Sequence, residues 1–158
     1  MFSGALLTGG CGYQHQALYP DSVRTVAVPI FDNRSFYRDV EREVTEAVIK
    51  EIELRTPYKV VAVDRADSEL TGTITQVEQS RLSRGRDGGL VQEGELRIRS
   101  NFAWQDRRTG QTLRQRRGLV TIGRYVPARP VSEPYQTAQY QAAQQLAYEI
   151  VSVMGAEW

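Results

Sequence analysis

The chain is poor in the residues from which enzymes and metal centres are most often built. It holds one cysteine, Cys11, and one histidine, His15, so a Ser-His-Asp triad, a histidine-rich zinc site and a Cys/His cluster all lack their parts. No stretch approaches the ~20 apolar residues that a membrane-spanning helix requires. Lysine is nearly absent: only Lys50 and Lys59 are present, and the other 18 cations are arginines. Arginine's planar fork suits phosphate and carboxylate partners, although codon bias produces the same excess. Against 19 acidic residues the net charge is +1, which argues against a nucleic-acid binder that works by neutralising many phosphates. Gly85, Gly88 and Gly89 are interrupted by Arg84, Arg86 and Asp87, match neither a dinucleotide nor a P-loop pattern, and read as a flexible turn. Glu93 and Glu95 read as solvated charges on a strand rather than an acid–base pair. No catalytic residue, metal ligand or cofactor is expected.

What is present describes an ordinary globular domain. With 158 residues and 41% hydrophobic content, the chain can bury roughly 70% of its unfolded surface in one core without staples. Residues 1–11 read M-F-S-G-A-L-L-T-G-G-C, an apolar run closed by small residues and the lone cysteine. The expectation is a lipoprotein signal remnant ending at an acylated Cys11, the alternative being a small buried thiol. With no Lys or Arg before Cys11 and fewer than the about 15 residues of a usual signal, the true start is expected upstream of Met1. Residues 12–22 then form a tether and 23–158 a single domain.

Within 23–30 the apolar residues Val26, Val28 and Ile30 alternate, which predicts a first strand ending near Pro29. A loop over 31–38 leads to Asp39 as N-cap, with Glu41 and Glu43 in the first helical turn. Val40, Val44, Ala47, Val48 and Ile52 make one apolar stripe before Thr56-Pro57 stops the helix. Residues 58–63 and 69–77 are β-branched runs that predict strands, and 79–94 a polar hairpin loop. The clearest alternation is 95–105: Leu96, Ile98, Phe102 and Trp104 face one way, Glu95, Arg97, Arg99, Asn101 and Gln105 the other. A turn at 106–110 returns the chain along 111–122. Two registers stay open: Trp104 opposite Leu113 with Ile98 opposite Leu119, or a bulge that brings Ile98 to Val120 and Leu96 to Ile122. After an extended linker at 124–130, Ser132 and Pro134 open a second helix with the stripe Tyr135, Ala138, Ala142, Leu146, Ile150 and Val153, closed by Gly155. The order predicts an α+β fold: one mainly antiparallel sheet of four to five strands, covered on one face by two helices.

Several of these stretches together resemble a known family. Gly10-Cys11-Gly12-Tyr13, the strand V-R-T-V-A-V-P-I-F-D-N-R-S over 23–35, the helix pattern E-x-x-V-T-E-A-V and L-T-G-T-I over 70–74 are similar to the lipopolysaccharide-assembly lipoproteins of the LptE family. The strand also resembles periplasmic lipoproteins of the CsgG and LpoB group, regulators or secretion accessories, which is the alternative. The LptE resemblance implies a non-catalytic lipoprotein, anchored by lipid on the periplasmic side of the outer membrane, that plugs an LptD-like β-barrel and helps lipopolysaccharide reach the outer leaflet. Gly12 lacks the aspartate that would hold such a lipoprotein in the inner membrane. Lipopolysaccharide carries phosphates, and arginines bind phosphate through charge-assisted, often bidentate hydrogen bonds. Arg97 and Arg99 share one strand face, and in the first register Arg114 and Arg116 join them across the pair. Those four are the candidate anion contacts; the alternatives are a solvated face or packing against acidic groups of a barrel. Arg84 and Arg86 are further candidates on the loop.

Overall fold

Two helical stripes and three long alternating runs account for most of the core. The computed structural model describes residues 20, 22–81, 94–125 and 135–155. In chain order the elements are β1 (Thr25–Ala27), β2 (Asp32–Asn33), α1 (Val40–Arg55), β3 (Lys59–Val60), a single 3-10 turn (Val63–Arg65), β4 (Ser68–Arg81), β5 (Gly94–Asp106), β6 (Thr112–Tyr125) and α2 (Tyr135–Met154). They form the expected α+β fold. Among the described residues the strands make one sheet in the order β3-β1-β4-β5-β6, with β2 also on β4. β4, β5 and β6 are an antiparallel meander, whereas β1, β2 and β3 join in parallel, so the sheet is mixed. The run 58–63 is a strand for only two residues before the 3-10 turn, and the loop 31–38 contains β2. The leader with Cys11, the loop arginines Arg84 and Arg86, and the residues Ser132 and Pro134 lie outside the described residues.

Both helices cover the face of the sheet on which Leu70, Ile74, Leu96, Ile98, Phe102 and Trp104 point inward. The α1 stripe is buried as its spacing predicts, and so are Ala138, Ala142, Leu146 and Ile150 of α2. Burying a Leu or Ile side chain contributes about 1.5–3 kcal/mol, so these stripes rather than helix propensity hold the layers together. Asp39 precedes α1 in the left-handed region, at φ 67°, and its side chain makes no capping bond. Asn33 organises this entry instead. Its Nδ2 donates to Tyr37 O and to Glu41 Oε2, both at 2.7 Å, and its Oδ1 accepts from the Ser35 amide and hydroxyl. The asparagine thus closes the loop and positions the first helical turn. In the core Trp104 Nε1 donates to Ser68 Oγ at 3.0 Å, and Ser68 Oγ donates to Thr25 O at 2.8 Å, so every polar hydrogen of this buried chain is used.

The hairpin register is neither of the two expected. Gln105 pairs with Thr112, but an irregularity at Leu113 then pairs Trp104 with Arg114 and Phe102 with Arg116; after a second at Gly118, Ile98 pairs with Thr121 and Leu96 with Gly123. Gly118 adopts φ 68° and donates its amide to Asn101 Oδ1 at 2.8 Å, a bulge that only a residue tolerant of positive φ accommodates cheaply.

Candidate functional site

The register decides where the predicted arginines stand. A one-residue slip turns every side chain of a strand to the other face, and here it places Arg114 and Arg116 beside Trp104 and Phe102, on the helix side. Arg97 and Arg99 stay on the bare side, with Ile122 and Val120 as their β6 partners. The four-arginine patch expected across one face is therefore two pairs on opposite faces. Arg97 Nη2 pairs with Glu95 Oε1 at 2.8 Å, and Glu95, expected to be solvated, is only 5% exposed. On β4 the neighbour of Arg97 is Glu78, so its charge is already balanced locally. Arg99 is exposed, with Gln76 as its β4 neighbour. Arg114 Nη1 donates to Leu113 O at 2.7 Å and is half-buried, and Arg116 is exposed.

Arg117 was missed as a candidate. It lines a shallow depression of about 190 Å³ on the bare face with Thr71, Thr73, Asn101, Ala103 and Gln115. The dipeptide Arg117-Gly118 is its signal in the sequence, because a glycine inside an otherwise regular strand marks a bulge that redirects the preceding side chain. Hydroxyls of Thr71 and Thr75 donate to the Ala103 and Arg99 carbonyls, so this face presents ordered polar groups, and among the described residues no helix lies over them.

The two ends of the sheet differ in chemistry. At the hairpin end, the approach to β1 is held by Tyr58 Oη, which donates to Pro20 O at 3.2 Å, and by Arg108 Nη2, which donates to Ser22 O at 2.7 Å. Pro20, Val23, Arg24, Pro57, Tyr58 and Lys59 line a cleft of about 470 Å³ there. Asp67 accepts from the Arg24 and Thr25 amides, and Asp106 from the Arg108 and Thr109 amides. Hydrogen bonding to the charged form holds both carboxyls below their ordinary value; for Asp67 the Arg24 amide is the largest cause and for Asp106 the Thr109 amide. At the opposite end Tyr135 stacks on Tyr37 at 5.9 Å and meets Tyr125 edge-on at 6.3 Å. Burial, with Tyr37, Tyr125 and Glu43 nearby, pushes its phenol up to about 12. A groove of about 440 Å³ runs between the starts of the helices, lined by Arg38, Arg42, Glu43, Glu46, Tyr135 and Gln139, and Gln139 Nε2 donates to Glu43 Oε2 at 2.7 Å across it. Among the described residues no group of three or more His, Cys, Asp or Glu side chains is arranged to hold a metal, and no helix is long and apolar enough to cross a membrane.

A family model described as LptE, lipopolysaccharide-assembly, matches residues 23–154, from the approach to β1 to the last residue of α2. The chain belongs to the LptE family. Its role accordingly lies in lipopolysaccharide assembly. No curated protein matches it in sequence. Solved structures share the LptE fold at low identity. A protein from Xanthomonas campestris is 10% identical, with 89% of each chain covered and a TM-score of 0.59. The PelC dodecamer from Paraburkholderia phytofirmans is 14% identical over 87% of this chain and 93% of that one, with a TM-score of 0.55. Lipoprotein B from Nitrosomonas europaea is 19% identical over 98% and 94%, with a TM-score of 0.51. In this LptE chain the matched region spans every element of the sheet and both helices.

Proposed function

We propose that this LptE-family chain is a non-catalytic lipoprotein of the outer membrane, acylated at Cys11, that seats as a plug in an LptD-like β-barrel and helps lipopolysaccharide to the outer leaflet. The observation that carries the reading is the sheet's bare face. Two layers of helix and sheet would ordinarily suffice for a domain, and here three long strands expose ordered threonines, Asn101 and arginines opposite the helices. Such a polar, hydrogen-bonding surface suits a hydrated barrel lumen, whose interior is itself polar. Anchoring fits the end-to-end polarity: the chain enters beside the hairpin turn, clamped by Tyr58 and Arg108, so acyl chains at Cys11 would hold that end at the membrane. One chain gives marginal binding, and the several chains of an acylated lipoprotein cysteine give stable anchoring.

Lipid contact would then divide between two surfaces. Arg99, with Arg97 beside it, serves the bare face, while Arg114 and Arg116 serve the helix side near the hairpin. Affinity capture from detergent-solubilised outer membranes, using the full-length acylated protein, tests the reading. A large β-barrel recovered at about one-to-one stoichiometry is the expected result. Recovery of periplasmic enzymes or self-assembled rings with no barrel would overturn it in favour of a CsgG- or LpoB-like accessory.

A further inference from the structure

The two edges of the sheet are built differently. Edge strands invite pairing, and proteins blunt them with short length, proline, charged side chains or bulges. β3 is two residues long, contains Lys59 and lies two residues after Pro57. β6, at the other edge, is 14 residues long and is interrupted only by arginines and by irregularities at Leu113 and Gly118. Among the described residues nothing pairs with its outer side. α2 shelters one part of it, where Thr121 Oγ1 donates to Ala142 O and the Arg124 amide to Gln141 Oε1. Residues 112–118 lie beyond that shelter and are exposed or half-buried throughout.

The charge on this stretch is one-sided. β6 holds Arg114, Arg116, Arg117 and Arg124 and no acidic residue. Arg116 pairs with Phe102 on the helix side, whereas Arg117 lines the bare-face depression, so the two guanidinium groups straddle the edge. Neither forms a salt bridge among the described residues. Consecutive side chains of an added strand point to opposite faces. Two adjacent carboxylates on such a strand would each meet one of these arginines, with the backbone bonds supplied by the edge. A second copy of the chain is a poor occupant, since antiparallel β6–β6 pairing centred on this stretch sets arginine against arginine, and like charges directly opposite destabilise a sheet.

We propose that residues 112–118 of β6 form a docking edge for an extended acidic segment of a partner protein, which adds to the sheet as a further strand. The inference stands on the edge itself and does not depend on the barrel-plug reading. Hydrogen exchange on the full chain tests it, with two capped decapeptides of threonine and valine as probes, one carrying a central Glu-Glu pair and the other a central Lys-Lys pair. The expected result is that the glutamate peptide slows exchange of amides in 112–118 by about tenfold or more, that the lysine peptide does not, and that added salt weakens the effect. The double variant R116E/R117E should lose the response to the glutamate peptide and gain one to the lysine peptide, with exchange in α2 unchanged. Should that reversal perturb the fold, R116Q/R117Q is expected to respond to both peptides alike. No protection by the glutamate peptide, equal protection of the native chain by both, or protection of 112–118 by self-association without peptide would each overturn the proposal.

Discussion

β6 is one continuous strand with two unlike halves. Residues 119–125 follow strict alternation, with Leu119, Thr121, Gly123 and Tyr125 buried beneath α2. Residues 112–118 show no such alternation and carry Arg114, Arg116 and Arg117. Both halves pair with the same strand, β5, whose inward residues are buried along the whole length. The difference comes both from what lies over the strand and from the ladder, whose two irregularities fall at Leu113 and Gly118 while 119–125 pair regularly. At the closest approach of the α2 backbone only Gly123 fits, and Thr121 meets it through a hydrogen bond to Ala142 O; residues 112–118 are under no such constraint.

Truncating the β5 residue opposite the open half gives the largest expected effect. Trp104 is fully buried against Tyr58, at 5.4 Å between ring centroids, with its indole N–H bonded to Ser68. Trp104→Ala should cost about 3–5 kcal/mol in urea unfolding, showing that β5 is core even where its neighbour is not. A loss below ~1 kcal/mol would mean that the hairpin end is not packed as described. Next come two identical substitutions with different causes. A Cβ at Gly123 would stand 1.8 Å from Ala138 O, so Gly123→Ala must push α2 off the sheet, costing about 2–3 kcal/mol. At Gly118 a Cβ meets nothing within 4 Å, and Gly118→Ala pays only the left-handed backbone, ~1–2 kcal/mol. Only the first should accelerate exchange in α2; equal acceleration by both would erase the distinction between the halves.

The pH response is smaller and belongs to the hairpin end. Asp67 and Asp106 titrate below their ordinary value of 3.8 when folded, so the folded state holds their protons more weakly than the unfolded one. Their contribution is complete above the unfolded value and fades as pH falls through the folded one. Urea midpoints between about pH 6 and pH 2.5 should fall less for D67N/D106N than for the native chain; identical slopes would contradict the assigned cause. Smallest is Arg42→Ala. Its i,i+4 pair with Glu46 is exposed on both sides, 65% and 67%, and pairs of that kind contribute about 0–1 kcal/mol, which a thermal melt at two salt concentrations resolves.

The amino-acid sequence by itself determined the elements and the class. The stripes of α1 and α2 are written at three- and four-residue spacing, and the alternation of 95–105 names the buried face of β5, because side-chain direction follows directly from helical and strand periodicity. Three features were not readable in it. Asp39 looks like an N-cap in sequence, yet Asn33 six residues earlier organises the turn, since which short polar side chain reaches the orphan groups depends on the path of the loop. Glu95 looks solvated, yet is buried beside Arg97. The register of β5 and β6 is set by two irregularities, one at Leu113 opposite Trp104/Gln105, which turns Arg114 and Arg116, and one at Gly118, which resets Leu119 onward, together with the nonlocal packing of Gly123 under Ala138. One residue of slip moved Arg114 and Arg116 to the opposite face from Arg97 and Arg99, so the type of each candidate residue was local information, while their grouping into surfaces was decided by tertiary structure alone.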